Sequence, residues 1–307
     1  VQASRLGKTR TRVLNYQVTT PLVEAEPNNT QDMGFDLHIA DRLTQEALAI
    51  AHRAGRRIVE VYGGECDCDV KFKSDQTPVT TADLAAHDII LEELQRLDPQ
   101  LPVLSEESDE ISFAERQEWP AYWLVDPLDG TREFLRRNGE FSVNIALVSE
   151  NQSIAGVIVA PVLNIAYFAT RSFGAFKQVG DLEPHPIHVR SAPDPVTVAR
   201  SRSPITGPRL QQFLDAIGEH DEIPMGSALK SCLVAEGAAD IYARLGPTGE
   251  WDTAAAQCIV EEAGGHIRDT RSRDLTYNMR ESLINPNFLV YGDDQVDWAQ
   301  HLPPEAL

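Results

Sequence analysis

The segment Trp123-Leu124-Val125-Asp126-Pro127-Leu128-Asp129-Gly130-Thr131 constrains this chain more than any other. Its apolar, β-prone start reads as a buried strand that delivers Asp126 at its end. Pro127 is expected to stop the ladder, and Asp129 to follow in a turn that Gly130 permits. Two carboxylates then converge in one small space. Burying both is costly unless a cation lies between them, and hard divalent ions such as Mg²⁺ favour carboxylate, carbonyl and water oxygens together with substrate phosphate. The carbonyl of Leu128 is a natural additional ligand. The competing reading makes Asp126 and Asp129 ordinary turn formers satisfied by backbone N–H groups.

Further acids bear on that choice. Val103-Leu104-Ser105 runs into Glu106-Glu107, which alone would read as a solvated turn. Glu250-Trp251-Asp252-Thr253 opens an apolar helix through Ala255, Ile259 and Val260, so Asp252 suits both an N-cap and a site where phosphate meets a helix N-terminus. Asp83, in Thr77-Pro78-Val79-Thr80-Thr81-Ala82-Asp83, is likewise a capping acid or a site acid. Gly130 and Thr131 precede a short expected helix, Arg132 to Arg137, whose N–H groups suit phosphate.

Elsewhere the apolar spacing predicts helices from Asp36 to Tyr62 and from Thr80 to Leu97. Strands are predicted at Tyr122–Val125, Phe141–Val148, Ser153–Ala160 and Ile165–Thr170. Beyond the proline-rich Asp181–Pro195 comes an alternation: strand Val196–Ala199, helices Gly207–Ile217 and Leu229–Gly237, strand Asp240–Ala243, helix Trp251–Ala263, then further strands. The expected organisation is a flexible tail over residues 1–35, an α+β metal-binding half over 36–182, and an α/β substrate-side half over 183–307 ending in a short tail. Met33-Gly34 is a candidate natural start.

Composition excludes several classes. Lys+Arg number 27 against 47 Asp+Glu, a net charge of −20 that repels nucleic-acid polymers. The longest apolar run, Ile154–Leu163, contains Pro161 and falls far short of the roughly 20 residues of a membrane span. Cys66, Cys68, Cys232 and Cys258 include no C-x-x-C pair, which suits a reducing cytoplasm. Arg5, Lys8, Arg10 and Arg12 are few for stable anchoring, leaving at most a peripheral contact with the inner membrane. Histidines are scattered without a zinc motif, and His87, His188 and His266 read as ordinary surface or core residues.

In this order, Glu106-Glu107, Asp126-Pro127-Leu128-Asp129-Gly130-Thr131 and Trp251-Asp252 resemble the lithium-sensitive, magnesium-dependent phosphatases that include inositol monophosphatases and fructose-bisphosphatases. The longer strings GTREFLRRNGEFSVNIAL from Gly130 and GSALK from Gly226, with Pro247-Thr248, resemble the CysQ type of 3'(2'),5'-bisphosphate nucleotidase. The likeness spans about residues 36–292. It implies the layered αβαβα sandwich of that superfamily, an α+β / α/β fold. It also implies hydrolysis of 3'-phosphoadenosine 5'-phosphate to AMP and phosphate in sulfur assimilation, with the sulfated nucleotide as a further candidate substrate. Carried over by motif, Glu106, Asp126, Asp129, Asp252 and the Leu128 carbonyl hold two or three Mg²⁺ ions, Asp83 and Thr131 orient and deprotonate the attacking water, and Glu107 supports them. The substrate side comprises Glu106, Leu128, Asp129, Gly130, Thr131, Ser227, Lys230 and Asp252. Lys71, Lys73, Arg202, Lys230 and Arg244 are candidate phosphate contacts, against the commoner role of solvated surface charges. Ser231 follows Lys230 where the motif commonly places an aromatic residue.

Rival classes fit less well. Haloacid dehalogenase phosphatases place one residue between their aspartates, and here Pro127-Leu128 supplies two. A non-catalytic calcium loop would need acids at alternating positions, and Leu128 interrupts them. An inositol monophosphatase-like sugar or polyol phosphatase shares the metal cage and remains the main rival for substrate.

Overall fold

Asp36 starts the first helix by accepting the N–H groups of His38 and Ile39 at 2.8 and 3.3 Å, and Gly64, at φ 84°, ends it. The computed structural model describes residues 34–64, 70–72, 78–202 and 207–306. The tail through Met33, with Cys66, Cys68, Lys73 and Thr77, lies outside the described residues, as does the side chain of Lys71.

The elements run α1 (Leu37–Gly63), β1 (Val70–Phe72), β2 (Pro78–Thr80), α2 (Thr81–Leu94), β3 (Val103–Ser105), α3 (Phe113–Arg116), β4 (Ala121–Asp129), α4 (Thr131–Leu135), β5 (Ser142–Ser149), β6 (Gln152–Ala160), β7 (Ile165–Thr170), β8 (Gly174–Val179) and β9 (His185–Pro186). They continue with β10 (Val196–Arg200), α5 (Pro208–Ile217), β11 (His220–Pro224), α6 (Leu229–Ala235), β12 (Ile241–Arg244), a 3-10 turn (Glu250–Asp252), α7 (Ala254–Glu262), β13 (His266–Asp269) and β14 (Phe288–Tyr291). Strands β3 to β9 form one sheet in sequence order; β3 and β4 are parallel and the other neighbours antiparallel. A second sheet has the order β11-β10-β12-β14-β13, with β10 parallel to both β11 and β12.

Side-chain alternation along β4 sets the layering. Trp123 and Val125 point into a core with α1 and α2, whereas Tyr122 and Leu124 point the other way, into a core with α6 and α7. That second core also takes Ala199, Tyr242, Phe288 and Val290 from the far sheet. The outer face of the far sheet (Val198, Ile241, Ala243, Leu289) packs on Phe213 and Leu214 of α5 and on Trp298 and Leu302. Helices, sheet, helices, sheet and helix therefore stack as the expected αβαβα sandwich. The sheets change over between Pro186 and Val196, inside the proline-rich stretch.

Two local expectations are corrected. Pro127 does not end the ladder, because β4 pairs with β5 through to Asp129 after a register shift between Asp126 and Asp129. The helix expected over Trp251–Ala263 is broken at Thr253, whose φ of −118° separates the 3-10 turn from α7. Strands β3, β8, β9 and β11 are not among the predicted strands: β3 has three residues, β8, beside the two-residue edge strand β9, is mostly half-buried and lacks a clean apolar run, and β11 is polar and largely exposed.

Helix α7, which follows Asp252, comes so close to β6 that a Cβ on Gly156 would lie 2.2 Å from the Ala255 carbonyl oxygen. Backbone cannot yield cheaply there. Gly156→Ala is expected to lower the urea midpoint by an amount equivalent to about 1–3 kcal/mol at unchanged m, checked by circular dichroism.

Candidate active site

The site grows from the register shift in β4. Asp126 pairs with Asn144 and Asp129 with Ser142, so three steps on one strand oppose two on the other. One extra residue is thus a bulge, and it changes an odd spacing into an effectively even one. Asp126 and Asp129 consequently share a face, the one toward α6 and α7. Strand β3 brings Glu106 alongside: Ser105 pairs in parallel with Val125, and the Glu106 N–H donates to the Val125 carbonyl at 3.0 Å. The 3-10 turn before α7 supplies Asp252. One carboxylate oxygen from each of Glu106, Asp126 and Asp252 lies within 4.8 Å of the others.

Asp126, Asp129 and Asp252 each accept a backbone N–H through one carboxylate oxygen. Asp126 Oδ1 accepts the Leu128 N–H at 3.0 Å. Asp129 Oδ2 accepts Ala228 N–H at 2.5 Å and Asn144 Nδ2–H at 3.4 Å. Asp252 Oδ2 accepts Gly249 N–H at 2.9 Å, closing its turn. Asp83 Oδ2 accepts the Thr80 N–H and hydroxyl at 2.8 and 2.6 Å in a capping box, while Oδ1 accepts the Thr131 hydroxyl at 3.3 Å. Capping and site chemistry are therefore compatible roles for the same side chain. Thr131 Oγ1 also lies 3.4 Å from the Leu128 carbonyl.

Electrostatics make this a cluster that could hold a cation. Burial, and then the charges of Glu106, Asp129 and Asp252, drive the carboxyl of Asp126 well above its ordinary value. Burial, followed by Asp129 and Glu106, lifts Asp252 to about 7. Asp129 is raised by burial too, with Lys230 and the Ala228 N–H acting against the rise. Hard oxygens held this close against their charge suit Mg²⁺.

The acids open into a cleft of about 760 Å³ lined by Glu106, Asp126, Leu128, Asp129, Gly130, Thr131, Thr248 and Asp252, among others. It continues into a pocket of about 180 Å³ lined by Arg132, Arg136, Ser227, Lys230, Ser231, Tyr242, Arg244 and Phe288. Lys230 Nζ sits 5.2 Å from the Tyr242 ring centroid and donates to the Ser227 carbonyl. Glu107 and Asp83 are not among the residues lining the cleft; Glu107 donates its N–H to Ser105 Oγ at 3.4 Å, and Asp83 stands behind Thr131. Arg202, a candidate phosphate contact, instead pairs with Glu140. Sequence reasoning did not single out Arg132, Arg136, Tyr242 or Phe288 as lining. The four-residue spacing of Arg132 on α4 and Arg136 at its C-cap was the available signal; the two aromatic residues read like any core strand residues.

A profile of the inositol monophosphatase family matches residues 40–299, and the chain belongs to that family. Within it, the chain is 46% identical over 249 residues to the 3'(2'),5'-bisphosphate nucleotidase CysQ of Salmonella typhimurium, covering 81% of this chain and 99% of that one. It is 41% identical over 264 residues to the CysQ of Haemophilus influenzae, covering 85% and 97%. Among solved structures it resembles CysQ from Bacteroides thetaiotaomicron, with a TM-score of 0.72, 38% identity and coverage of 82% and 97%. The extragenic suppressor protein SuhB from Bartonella henselae gives a TM-score of 0.71 at 28% identity, with coverage of 86% and 99%.

Raised carboxyl pKa values fix the sign of a pH effect. Between the ordinary Asp value of 3.8 and the raised value near 7 of Asp252, the folded ion-free protein holds more protons than the unfolded chain. The contribution of these groups to stability therefore falls as pH rises through that window. In chelator, Tm is expected to drop from about pH 5 to about pH 8; excess Mg²⁺ is expected to remove the drop and to raise Tm more at the upper pH. Asp126→Asn is expected to raise the ion-free Tm, shrink the Mg²⁺-induced shift and abolish turnover, as measured by thermal melts and phosphate release.

Proposed function

We propose that this protein hydrolyses the 3'-phosphate of 3'-phosphoadenosine 5'-phosphate to AMP and phosphate, accepts the sulfated nucleotide as a second substrate, and serves sulfur assimilation in the cytoplasm. The observation that carries this reading is the continuity of an acidic cleft with a basic, aromatic pocket. One phosphate belongs beside Glu106, Asp126, Asp129 and Asp252; Arg132, Arg136, Lys230 and Arg244 suit a second, and Tyr242 and Phe288 give the pocket an apolar wall. Similarity to relatives named CysQ supports the same substrate. Among the described residues no helix is long and apolar enough to cross a membrane, and Cys232 and Cys258 are free and buried.

The donor set fits Mg²⁺, which Glu106, Asp126, Asp129, Asp252 and the Leu128 carbonyl would hold as two or three ions. When bound, Mg²⁺ acidifies water and neutralises charge on the phosphoryl group. The protein's own part is positioning and proton transfer. Gly130 and Thr131 line the cleft where the phosphate is expected, and Ser227 and Lys230 sit on its substrate side. Thr131 Oγ1 is poised to take a proton from the attacking water as it passes its own to Asp83 Oδ1, 3.3 Å away. Burial raises the carboxyl of Asp83, against the hydrogen bonds from Thr80, which favours its receiving a proton.

Asp83→Asn is expected to lower kcat about 10²–10⁴-fold with little change in KM, measured by initial rates. Phosphate release from 3'-phosphoadenosine 5'-phosphate, inositol 1-phosphate and fructose 1,6-bisphosphate, with Mg²⁺ and with or without Li⁺, tests the substrate. Highest kcat/KM on the nucleotide, inhibited by Li⁺, is expected; preference for either of the other esters contradicts the assignment.

A further inference from the structure

Glu140 lies between α4 and β5, only 7% exposed, outside the acidic cluster. Its carboxylate reaches across to the second sheet. Arg202 donates to it through Nε and Nη2, both at 2.5 Å, and the Gly226 N–H donates at 2.9 Å. Arg202 follows β10 and Gly226 follows β11, so one carboxylate ties together the ends of two parallel strands. The fork from Arg202 supplies the opposite charge that a buried carboxylate needs.

The turn that Gly226 opens carries this tie to the cluster. Ser227 is held at φ 47°, the Ala228 N–H donates to Asp129 Oδ2 at 2.5 Å, and Lys230 Nζ donates to the Ser227 carbonyl. Ser227 Oγ lies 3.1 Å from Ser142 Oγ on β5. No side chain fits at Gly226: a Cβ there would lie 2.4 Å from the Glu140 carbonyl oxygen and 2.9 Å from the Glu140 Cβ. The path from Glu140 to Asp129 is therefore short and tightly packed.

We infer that Glu140, clasped by Arg202, is a positioning residue that sets the Ala228 N–H against Asp129 and thereby tunes the cluster's affinity for divalent cations. This rests on the reading that Asp129 is a metal ligand. Hydrogen bonds that orient metal-binding carboxylates typically change metal affinity about 10–100-fold when removed. A simple brace between the sheets would stabilise the fold and leave cation affinity untouched.

The test measures Mn²⁺ binding by isothermal titration calorimetry, alongside urea unfolding, for Glu140→Gln, Arg202→Met, the double variant and Gly226→Ala. Glu140→Gln keeps an oxygen for the Gly226 N–H but loses the charge that Arg202 grips. Each single variant is expected to weaken Mn²⁺ binding about tenfold, and the double variant no more than the worse single, because the pair acts as one unit. Should Glu140→Gln not fold, Arg202→Met carries the test, since that side chain is 42% exposed. Unchanged Mn²⁺ affinity with a lowered urea midpoint overturns the inference and leaves only a brace. Asp129→Asn binding Mn²⁺ as tightly as wild type overturns instead the reading of the site on which the inference stands.

Discussion

Repulsion between buried carboxylates is the constraint on which the structure turns. Asp126 is 1% exposed and faces the charges of Glu106, Asp129 and Asp252, an arrangement that raises the Asp126 and Asp252 carboxyls above their ordinary value when no ion is bound. Each aspartate is pinned through one oxygen to a backbone N–H nearby or across the interface, which prevents the group from swinging out to water. The fold thus gathers at the floor of a cleft a set of charges that a cation can neutralise, and this makes ion binding and stability two readings of the same free energy.

Topology explains how distant segments meet. Parallel pairing of β3 with β4 ends both strands on the same side, so Glu106 and Asp126 emerge as neighbours. Antiparallel β5 then holds Asn144 and Ser142 opposite the bulge. The layer of helices between the sheets closes the site from the other direction: α6 offers Ala228 at its start, and α7 is preceded by the turn bearing Asp252. Such convergence at strand ends is where ligands gather in layered α/β architectures, although the chemistry resides in the side chains and not in the fold.

Much of this was legible in the sequence, for identifiable reasons. Helical periodicity marked α1 because it buries one face, whereas α2 buries Ala82, Ala86, Ile90 and Leu94 and leaves Leu84 exposed; short β-branched and aromatic runs marked β4 to β7 because both faces of that sheet are covered, each by a different core. The acids were legible because their residue types admit few other chemistries when buried together. The bulge was not, since a proline in a strand reads locally as a terminator and only the pairing with Asn144 and Ser142 reveals the extra residue. Nor was the fate of Arg202: a lone arginine reads as a phosphate contact or a surface charge, and its partner Glu140 lies 62 positions away. Glu106 and Glu107 illustrate the same limit. Adjacent in sequence, they part in space, and only Glu106 lines the cleft.

The central claim is that Glu106, Asp126, Asp129 and Asp252 surround a shared cation. Anomalous-difference density from a crystal soaked in Mn²⁺ addresses it directly. Peaks within about 2.5 Å of oxygens from Asp126 and at least two of the other acids are expected. Density elsewhere, with these carboxylates holding no ion between them, would contradict it.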